Sequence, residues 1–363
     1  MQEGNGLISA YILDGAGGGR KVGWEEVANW KAAQGALWIH LDHVAEDARQ
    51  WLRETSGLDQ AVARILLTRE TRPRSMDFKL GFLVLLRGVN LNPGQQPEDM
   101  VSVRIWVEPN RIITLRHRKL MAVQDLRDRL ESGQGPADTG GLFAMLAGLL
   151  ADRMEPVLEK LEQDISLIER GLADDRRWIS RHPAARPQLG ELQRDAIAIR
   201  RYLAPQHRAL AAFDDGGFSF VSDLQRMSLR ETEDRITRYE EDLTAHIERA
   251  AVLHDQITNE LAERMNRTMY FLSLVAAIFL PLGFITDLFG TNLPGVPGAG
   301  HPFDHAFNEK RDTNEPVGCA DQAHDGHLFP TGVDSHPDGI RYEHNCCDPL
   351  NQGQSETKPI EDP

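Results

Sequence analysis

The feature that most constrains this chain is a segment from Phe220 to Leu280 that contains neither proline nor glycine. If Phe220–Phe289 is one helix, its length is on the order of 105 Å. No globular core needs such a rod, whereas a stalk that leads into a membrane does. Apolar residues and one histidine recur along it at steps of three, four or seven, the period of a coiled-coil stripe: Ile236, Leu243, Ile247, Ala250, His254, Ile257, Leu261 and Met265.

The end of this segment is apolar enough to cross a membrane. Met269–Phe289 contains one charged residue, Asp287, and is long enough for a hydrocarbon core of roughly 30 Å. Arg264 and Arg267 directly precede it. Because positive residues favour the cytoplasmic side, they predict that the N-terminal domain lies in the cytoplasm. The alternative interpretation is a buried helix of a soluble protein.

Residues 1 to 140 are predicted to form an α/β domain, because short apolar and β-branched runs alternate with turn residues. The predicted strands are Leu7–Leu13, Leu37–Leu41, Phe82–Asn90, Val101–Glu108 and Arg111–Arg116, the last two joined by a hairpin turn at Pro109-Asn110. The predicted short helices are Trp24–Ala33, Asp47–Glu54 and Gln60–Thr68.

Residues 141 to 268 are predicted to form long antiparallel helices that end in the stalk. Leu142–Ile168 has apolar residues at helical spacing, and Pro156 within it is expected to kink the helix. A second helix is expected from about Gln188 to Phe213, followed by a turn at Asp214–Gly217. The fold class is therefore α+β: an α/β domain, long helices and a stalk running into one transmembrane helix.

Composition and motifs exclude two classes of function. The net charge of -15 argues against nucleic acid, whose phosphates call for surplus cations. A glycine-rich turn, Gly15–Gly19, follows a predicted strand and is the one feature that suggests a phosphate-binding enzyme. No Gly-Lys-Ser/Thr follows it, and His-Glu-x-x-His and Gly-x-Ser-x-Gly are absent, so we expect neither an enzyme nor a bound cofactor.

Gly290-Thr291-Asn292 directly follows the apolar run and resembles the Gly-x-Asn signature of CorA-type metal ion transporters. The glycine-rich continuation to Gly298 resembles the ZntB branch, the zinc transporters of that family. Further similar stretches are Trp38–Leu41, Glu70–Arg74, Arg87–Gly94, Met265–Tyr270 and Phe279–Leu282. The resemblance covers roughly Leu7 to Gly300.

This resemblance implies a funnel-shaped homopentamer in the inner membrane, with the first membrane helix of each subunit lining a central pore. It also implies that divalent cations, zinc or magnesium, are transported rather than held as cofactors. Gly290, Thr291 and Asn292 are expected at the outer mouth, where carbonyl oxygens suit a partly hydrated ion. Asp287 lies either at that mouth or at the membrane interface.

The stalk, Phe220–Glu263, carries 11 acids and 5 bases. The excess predicts a negative field that concentrates cations, with a solvated helix face as the simpler alternative. The acids concerned are Glu240, Glu241, Asp242, Glu248, Asp255, Glu260 and Glu263. His254 is either a packed histidine or, in a ring of five copies, a zinc ligand, and Glu260 and Glu263 are further candidate metal ligands.

The tail, residues 301 to 363, departs from the family pattern. It is polar, its composition predicts disorder, and no window in it approaches the length of a membrane span. The second membrane helix that the resemblance implies is therefore expected to be missing. The tail holds six histidines and three cysteines, but Cys346 and Cys347 are adjacent and no C-x-x-C occurs, so their spacing fits no zinc template.

The sequence thus predicts a divalent-cation transporter subunit with five segments. These are residues 1–140, the cytoplasmic domain; 141–268, the long helices and stalk; 269–289, the membrane helix; 290–300, the Gly-x-Asn loop; and 301–363, the tail. The missing second helix predicts impaired transport. The alternative is a metal-responsive protein that conducts nothing, or a degenerate remnant of a transporter.

Overall fold

The computed structural model describes residues 6–68, 72–175, 178–215 and 218–290. The chain divides into two compact units, Met1–Ile285 and Thr286–Pro363, and in the second unit only residues 286–290 are described. The predictions for Thr291, Asn292 and the rest of the 290–300 loop, and for the tail at 301–363, lie outside the described residues.

The first unit is built on a sheet of seven strands in the order β2-β1-β3-β7-β6-β5-β4. β3 and β7 pair in parallel, and all other neighbouring pairs are antiparallel. The strands are β1 Leu7–Leu13, β2 Gly19–Val22, β3 Leu37–Asp42, β4 Arg74–Phe78, β5 Gly81–Gly88, β6 Val101–Val107 and β7 Arg111–Arg116.

Nine α-helices occur in the described part of the chain, together with a 3-10 turn and a short π-helix. The α-helices are α1 Trp24–Asn29, α2 Glu46–Gln50, α3 Gln60–Leu66, α4 Met121–Glu131, α5 Thr139–Asp152, α6 Glu155–Asp174, α7 Trp178–Arg181, α8 Ala185–Asp215 and α9 Asp223–Gly290. The 3-10 turn is Ala32–Gln34, and the π-helix, Trp51–Thr55, continues α2.

The sheet is covered on both faces, which explains its apolar strands. Tyr11 and Leu13 pack with residues of α4–α9, and we call this side of the sheet the long-helix face. Ala10 and Ile12 pack on the opposite side with residues of α1–α3, which we call the short-helix face. Because successive side chains of a strand point to opposite faces, burial on both sides requires continuous apolar runs rather than alternation.

The predicted strands are confirmed where both faces are covered, and two further strands were missed. β2 and β4 occupy the two edges of the sheet. In β2 only Val22 is buried, and β4 has no buried residue, so neither strand carries an apolar pattern. Polar side chains on an edge strand prevent it from pairing with other chains. Because strands are predicted from apolar patterns, the same polar side chains leave the edge strands unpredicted. The hairpin at Pro109-Asn110 is confirmed, with the Glu108 amide donating to the Arg111 carbonyl over 2.8 Å.

The prediction of one kinked helix over Leu142–Ile168 is wrong. α5 ends at Asp152 and α6 starts at Glu155, with Pro156 in the first turn of α6. Proline is favoured there because the N–H it lacks would have no intrahelical partner, so Pro156 opens a helix instead of bending one. α8 similarly starts at Ala185, before the predicted Gln188.

α9 confirms the long helix, but its buried stripe differs in part from the predicted one. The residues of α9 that face α5, α6 and α8 follow steps of three and four: Ile236, Tyr239, Leu243, His246, Ala250, Leu253 and Ile257. His254 is only half-buried, and Leu261 and Met265 are exposed. The histidine on the buried stripe is therefore His246 rather than His254.

The C-terminal part of α9 is apolar on all sides. It is long and apolar enough to cross a membrane, and none of its apolar window is buried within the chain. Phe271, Leu280 and Phe289 are each about two-thirds exposed or more. This exposure contradicts burial of the segment in the core of its own chain, because apolar surface of this extent is stable only against lipid or a partner.

A buried polar network lies at the centre of the long-helix face. The Trp38 indole N–H donates to the Thr114 hydroxyl over 2.9 Å, and His40 Nδ1 lies 2.8 Å from the same oxygen. Burial lowers the pKa of His40 to about 3, and the positive charges of Arg116 and Arg127 act in the same direction. His40 is therefore neutral in the folded protein at neutral pH.

This network predicts acid-sensitive stability. Below the unfolded pKa of 6.5, unfolding lets His40 take up a proton that the folded protein does not bind until about pH 3. Stability is therefore complete above pH 6.5 and declines as the pH falls from 6.5 towards 3. At about pH 5.5 the free energy of unfolding should be lower by about 1.4 kcal/mol from this residue. Urea unfolding of the detergent-solubilised chain between about pH 5.5 and 7.5, followed by tryptophan fluorescence, measures the slope.

The test variant is His40→Gln, and the control is Asn29→Gln, which changes an exposed side chain that does not titrate. His40→Gln lowers stability at every pH but should flatten the slope by about one proton. Asn29→Gln should leave the slope unchanged. If His40→Gln keeps the full slope, a neutral buried His40 is contradicted.

The exposed apolar end of α9 predicts integral membrane association. The wild-type chain should remain in the membrane pellet after carbonate extraction. The double variant Leu274→Arg/Ile278→Arg adds about 5–7 kcal/mol to the cost of insertion, at roughly 2.5–3.5 kcal/mol per central arginine, and should move to the supernatant. Val252→Arg/Leu261→Arg places two arginines at exposed positions of α9 outside the apolar run and should stay in the pellet. Release of the wild-type chain by carbonate would contradict a membrane span.

Candidate functional site

The end of α9 carries two of the predicted pore-mouth residues. Asp287 lies exposed in the last turn, and Gly290 is the final residue of the helix. The last carbonyl oxygens of an α-helix lack intrahelical N–H partners, and the negative end of the helix dipole points the same way. A helix end of this kind attracts cations through oxygen dipoles, and one carboxylate adds to that attraction.

The seven stalk acids predicted to shape the field lie at the surface of α9. Glu240 and Glu260 are half-buried, and the other five are exposed. They alternate with the buried stripe, so packing against α6 and α8 leaves them on the solvent side. In one chain their charge acts through water, which weakens any single contribution and leaves only the summed field.

Glu260 and Glu263 come together in a cleft of about 780 Å³ beside α7. Three arginines share the cleft: Arg181, Arg264 and Arg267. Arg264 lies 3.6 Å from Glu260 and also contacts Ser180, while Arg181 pairs with Asp175. The two glutamates therefore face guanidinium groups, which compete with a metal ion for the same oxygens.

Glu260 and Glu263 also line a second cleft of about 780 Å³ between α6 and α9. Glu169 and Glu248 lie along it, and Arg249 bridges its wall by contacting Glu169 and donating to Ser166 over 3.0 Å. His254 lines neither cleft. Among the residues that the structure describes, no three His, Cys, Asp or Glu side chains are grouped closely enough to hold a metal ion.

His246 is the stalk histidine that sequence reasoning missed. Burial lowers its pKa, and the nearby carboxylates Glu162 and Asp242 oppose that shift. Its Nδ1 atom is buried without a hydrogen-bond partner in the described part of the chain. The signal was present in the sequence, because His246 lies three residues after Leu243 and four before Ala250, both on the predicted stripe.

The sequence comparisons agree with this architecture. A profile of the family described as CorA-like Mg²⁺ transporter protein matches residues 33–308. The chain is 39% identical over 305 residues to a divalent cation transporter, CmaX, of Pseudomonas aeruginosa, covering 83% of this chain and 90% of the relative. It is 33% identical over 299 residues to a zinc transport protein, ZntB, of Pectobacterium atrosepticum, covering 82% and 89%.

Solved structures give the same result at the level of the fold. Full-length CmaX superposes with a TM-score of 0.75 at 37% identity, covering 85% of this chain and 93% of that chain. The CorA magnesium transporter of Methanocaldococcus jannaschii gives a TM-score of 0.65 at 16% identity, covering 81% and 90%, and shows the fold alone. These relatives are transporters and not enzymes. With most of its length matched by the profile and by relatives above 30% identity, the chain belongs to the CorA-like Mg²⁺ transporter protein family.

Proposed function

We propose that this chain is a divalent-cation transporter subunit of the inner membrane, that zinc is its cargo, and that transport by the sequence as it stands is impaired. The observation that carries the proposal is the exposed apolar end of α9, which continues a packed, acidic stalk and finishes at Gly290 before Thr291-Asn292. A helix with this profile conducts ions only if several copies surround a common axis.

The choice of cargo rests on chemistry and on relatives. Oxygen dipoles at the helix end and the neutral amide of Asn292 suit a partly hydrated divalent cation, and the Asp287 carboxylate in the last turn of α9 adds to the attraction. Relatives 33–34% identical to the chain are named zinc transport proteins, and one 39% identical is named a divalent cation transporter. Zinc is consistent with both descriptions, with magnesium as the second candidate.

A homopentamer with the N-terminal domain in the cytoplasm completes the proposal. Arg264 and Arg267 precede the apolar run and favour the cytoplasmic side. Five copies would place Gly290, Thr291 and Asn292 in rings around the pore and multiply the weak field of each acidic stalk. In such an assembly, neighbouring subunits and lipid would together cover the exposed apolar surface of α9.

Impairment follows from what comes after the Gly-x-Asn loop. Residues 301–363 contain no apolar run of membrane-span length. In the proposed assembly, an outer helix shields the pore helix from lipid and fixes its angle. In an assembly whose subunits place residues 301–363 where that helix would pack, the pore helices have no outer support.

The second candidate function is a metal-responsive subunit that conducts nothing. It is favoured by the clefts beside α9, where acids and arginines alternate and where a bound cation could displace arginine contacts. The two functions differ in metal-ion flux across the membrane. A metal-responsive subunit changes conformation when it binds metal but transports none.

Zinc flux into proteoliposomes containing a zinc-sensitive dye tests the proposal. The unaltered chain should show flux at background level. A chimera in which the segment after Gly300 is replaced by the corresponding C-terminal segment of the CmaX relative should show flux. In that chimera, Asn292→Ala should lower the flux about tenfold, which corresponds to about 1.4 kcal/mol in the barrier.

Asn29→Ala, which changes an asparagine of α1 in the N-terminal domain, is the matched control and should leave the flux of the chimera unchanged. Robust flux by the unaltered chain would overturn the impairment. A chimera that inserts and forms pentamers on cross-linking, yet carries no zinc or magnesium, would favour the metal-responsive alternative.

A further inference from the structure

A cavity of about 520 Å³ lies at α2, α3 and the π-helix that continues α2, on the short-helix face of the sheet. Its walls include Arg49, Arg53 and Arg64, with Gln60 and Thr68 as neutral polar residues. The volume is within the range of sites that hold small organic molecules. It belongs neither to the apolar end of α9 nor to the clefts beside the stalk.

The charge of this cavity is one-sided. Three guanidinium groups line it, and none of the described residues in its wall is acidic. Glu46, outside the wall, lies 3.7 Å from Arg49 and 3.4 Å from Arg53, and Arg64 adds a third positive charge. Guanidinium groups present paired N–H donors that match phosphate oxygens, so converging arginines favour a phosphorylated ligand.

A fourth arginine lies beneath the wall. Arg104 of β6 is 2% exposed, and its Nη2 donates to the carbonyl of Thr68, a wall residue, over 3.0 Å. Its Nε and Nη1 atoms are buried with no hydrogen-bond partner in the described part of the chain, and so is Nε of Arg49. Buried N–H donors without acceptors are rare in folded proteins, so Arg104 adds uncompensated positive charge and donor capacity behind the cavity wall.

The positive potential around these arginines also lowers the pKa of a neighbouring histidine, His43. The pKa of His43 is lowered to about 4, first by burial and then by the charges of Arg104 and Arg49. His43 is consequently neutral at pH 7 and does not add to the repulsion among the arginines. The excess charge at this end of the sheet is therefore carried by guanidinium groups alone, which stay charged at every physiological pH.

We propose that this cavity binds a phosphorylated small anion of about nucleotide size. Three wall arginines exceed what one phosphate group needs, and the volume exceeds that of a single phosphate ion, so a ligand with two or more linked phosphates fits best. Gln60 and Thr68 provide the hydrogen bonds that a neutral part of the ligand requires. The site does not depend on transport, because every residue in it lies in the N-terminal domain.

Isothermal titration calorimetry on the full chain in detergent tests the site, with ATP, tripolyphosphate and inorganic phosphate as separate probes. A chelator keeps the buffer free of divalent cations, so that removal of metal by ATP contributes no signal. ATP and tripolyphosphate are expected to bind, inorganic phosphate more weakly, and affinity should fall as salt rises. Tighter binding of ATP than of tripolyphosphate identifies a nucleotide. Equal binding identifies the polyphosphate group as the feature recognised.

Arg64→Gln and Arg49→Gln are each expected to weaken ATP binding about tenfold, because each removes a charge-assisted contact. Arg20→Gln is the control, since Arg20 is an exposed arginine of β2 that pairs with Glu26, as Arg53 pairs with Glu46. It should bind as the wild type does. Melting temperatures of the three variants, expected within a few degrees of the wild type, show that they fold.

Three results would overturn the proposal. The first is no heat from either polyphosphate probe with the wild-type chain. The second is undiminished affinity in Arg64→Gln, or an equal loss in Arg20→Gln. The third is binding only to vesicles that contain phosphatidylglycerol, which would make the cavity a lipid headgroup site.

Discussion

The structure depends on one helix, α9, whose two parts are suited to different surroundings, water for the first and an apolar environment for the second. From Asp223 to Ile257, α9 buries a narrow apolar stripe against neighbouring helices and turns its charges to water. From Met269 to Phe289 it is apolar on every side, and none of its apolar window is buried among the described residues. Arg264 and Arg267 mark the change. One continuous helix, Asp223–Gly290, therefore carries both patterns.

Polar contacts, as well as packing, join α9 to its neighbouring helices α5 and α6, and join α8 to the sheet. On the stalk side, Arg235 reaches Asp152 of α5 over 2.7 Å, and Arg249 contacts Glu169 of α6. On the sheet side, the buried Gln206 of α8 accepts from the Arg87 amide over 2.7 Å. Such contacts between partly buried groups add directional constraints to apolar packing. The apolar core that they accompany is continuous from the sheet to the stalk, and both belong to one compact unit.

Sequence reasoning succeeded where one physical demand dominated and failed where two competed. The central strands and α9 were predicted because burial alone sets their residues. The edge strands β2 and β4 were missed, since an edge must deter pairing as well as form a strand. The role of Pro156 was predicted wrongly because no recognisable N-cap residue precedes it in the sequence. Without that signal, a proline that starts a helix cannot be told from one that kinks a helix. His246 was passed over for His254 because His254 also keeps helical spacing, four residues after Ala250 and three before Ile257. Eight residues are about 2.2 turns, so the two histidines lie roughly 80° apart around the helix, and His246 is the one on the buried face.

The cation-binding site was harder to predict from the sequence than the fold, because its ligands are individually weak. A resident metal site gathers several strong ligands from one chain, and no such group occurs among the described residues. The proposed gate instead combines neutral oxygens with one carboxylate per chain, Asp287, and a single chain supplies too few ligands to bind a cation alone. Repetition of these ligands around a central axis would make them effective. The sequence identifies the residues that would form the ring. The diameter of the ring, which decides which ion fits, depends on how the subunits assemble. Discrimination between zinc and magnesium would then be a property of the assembly, set by how closely the ends of α9 approach one another.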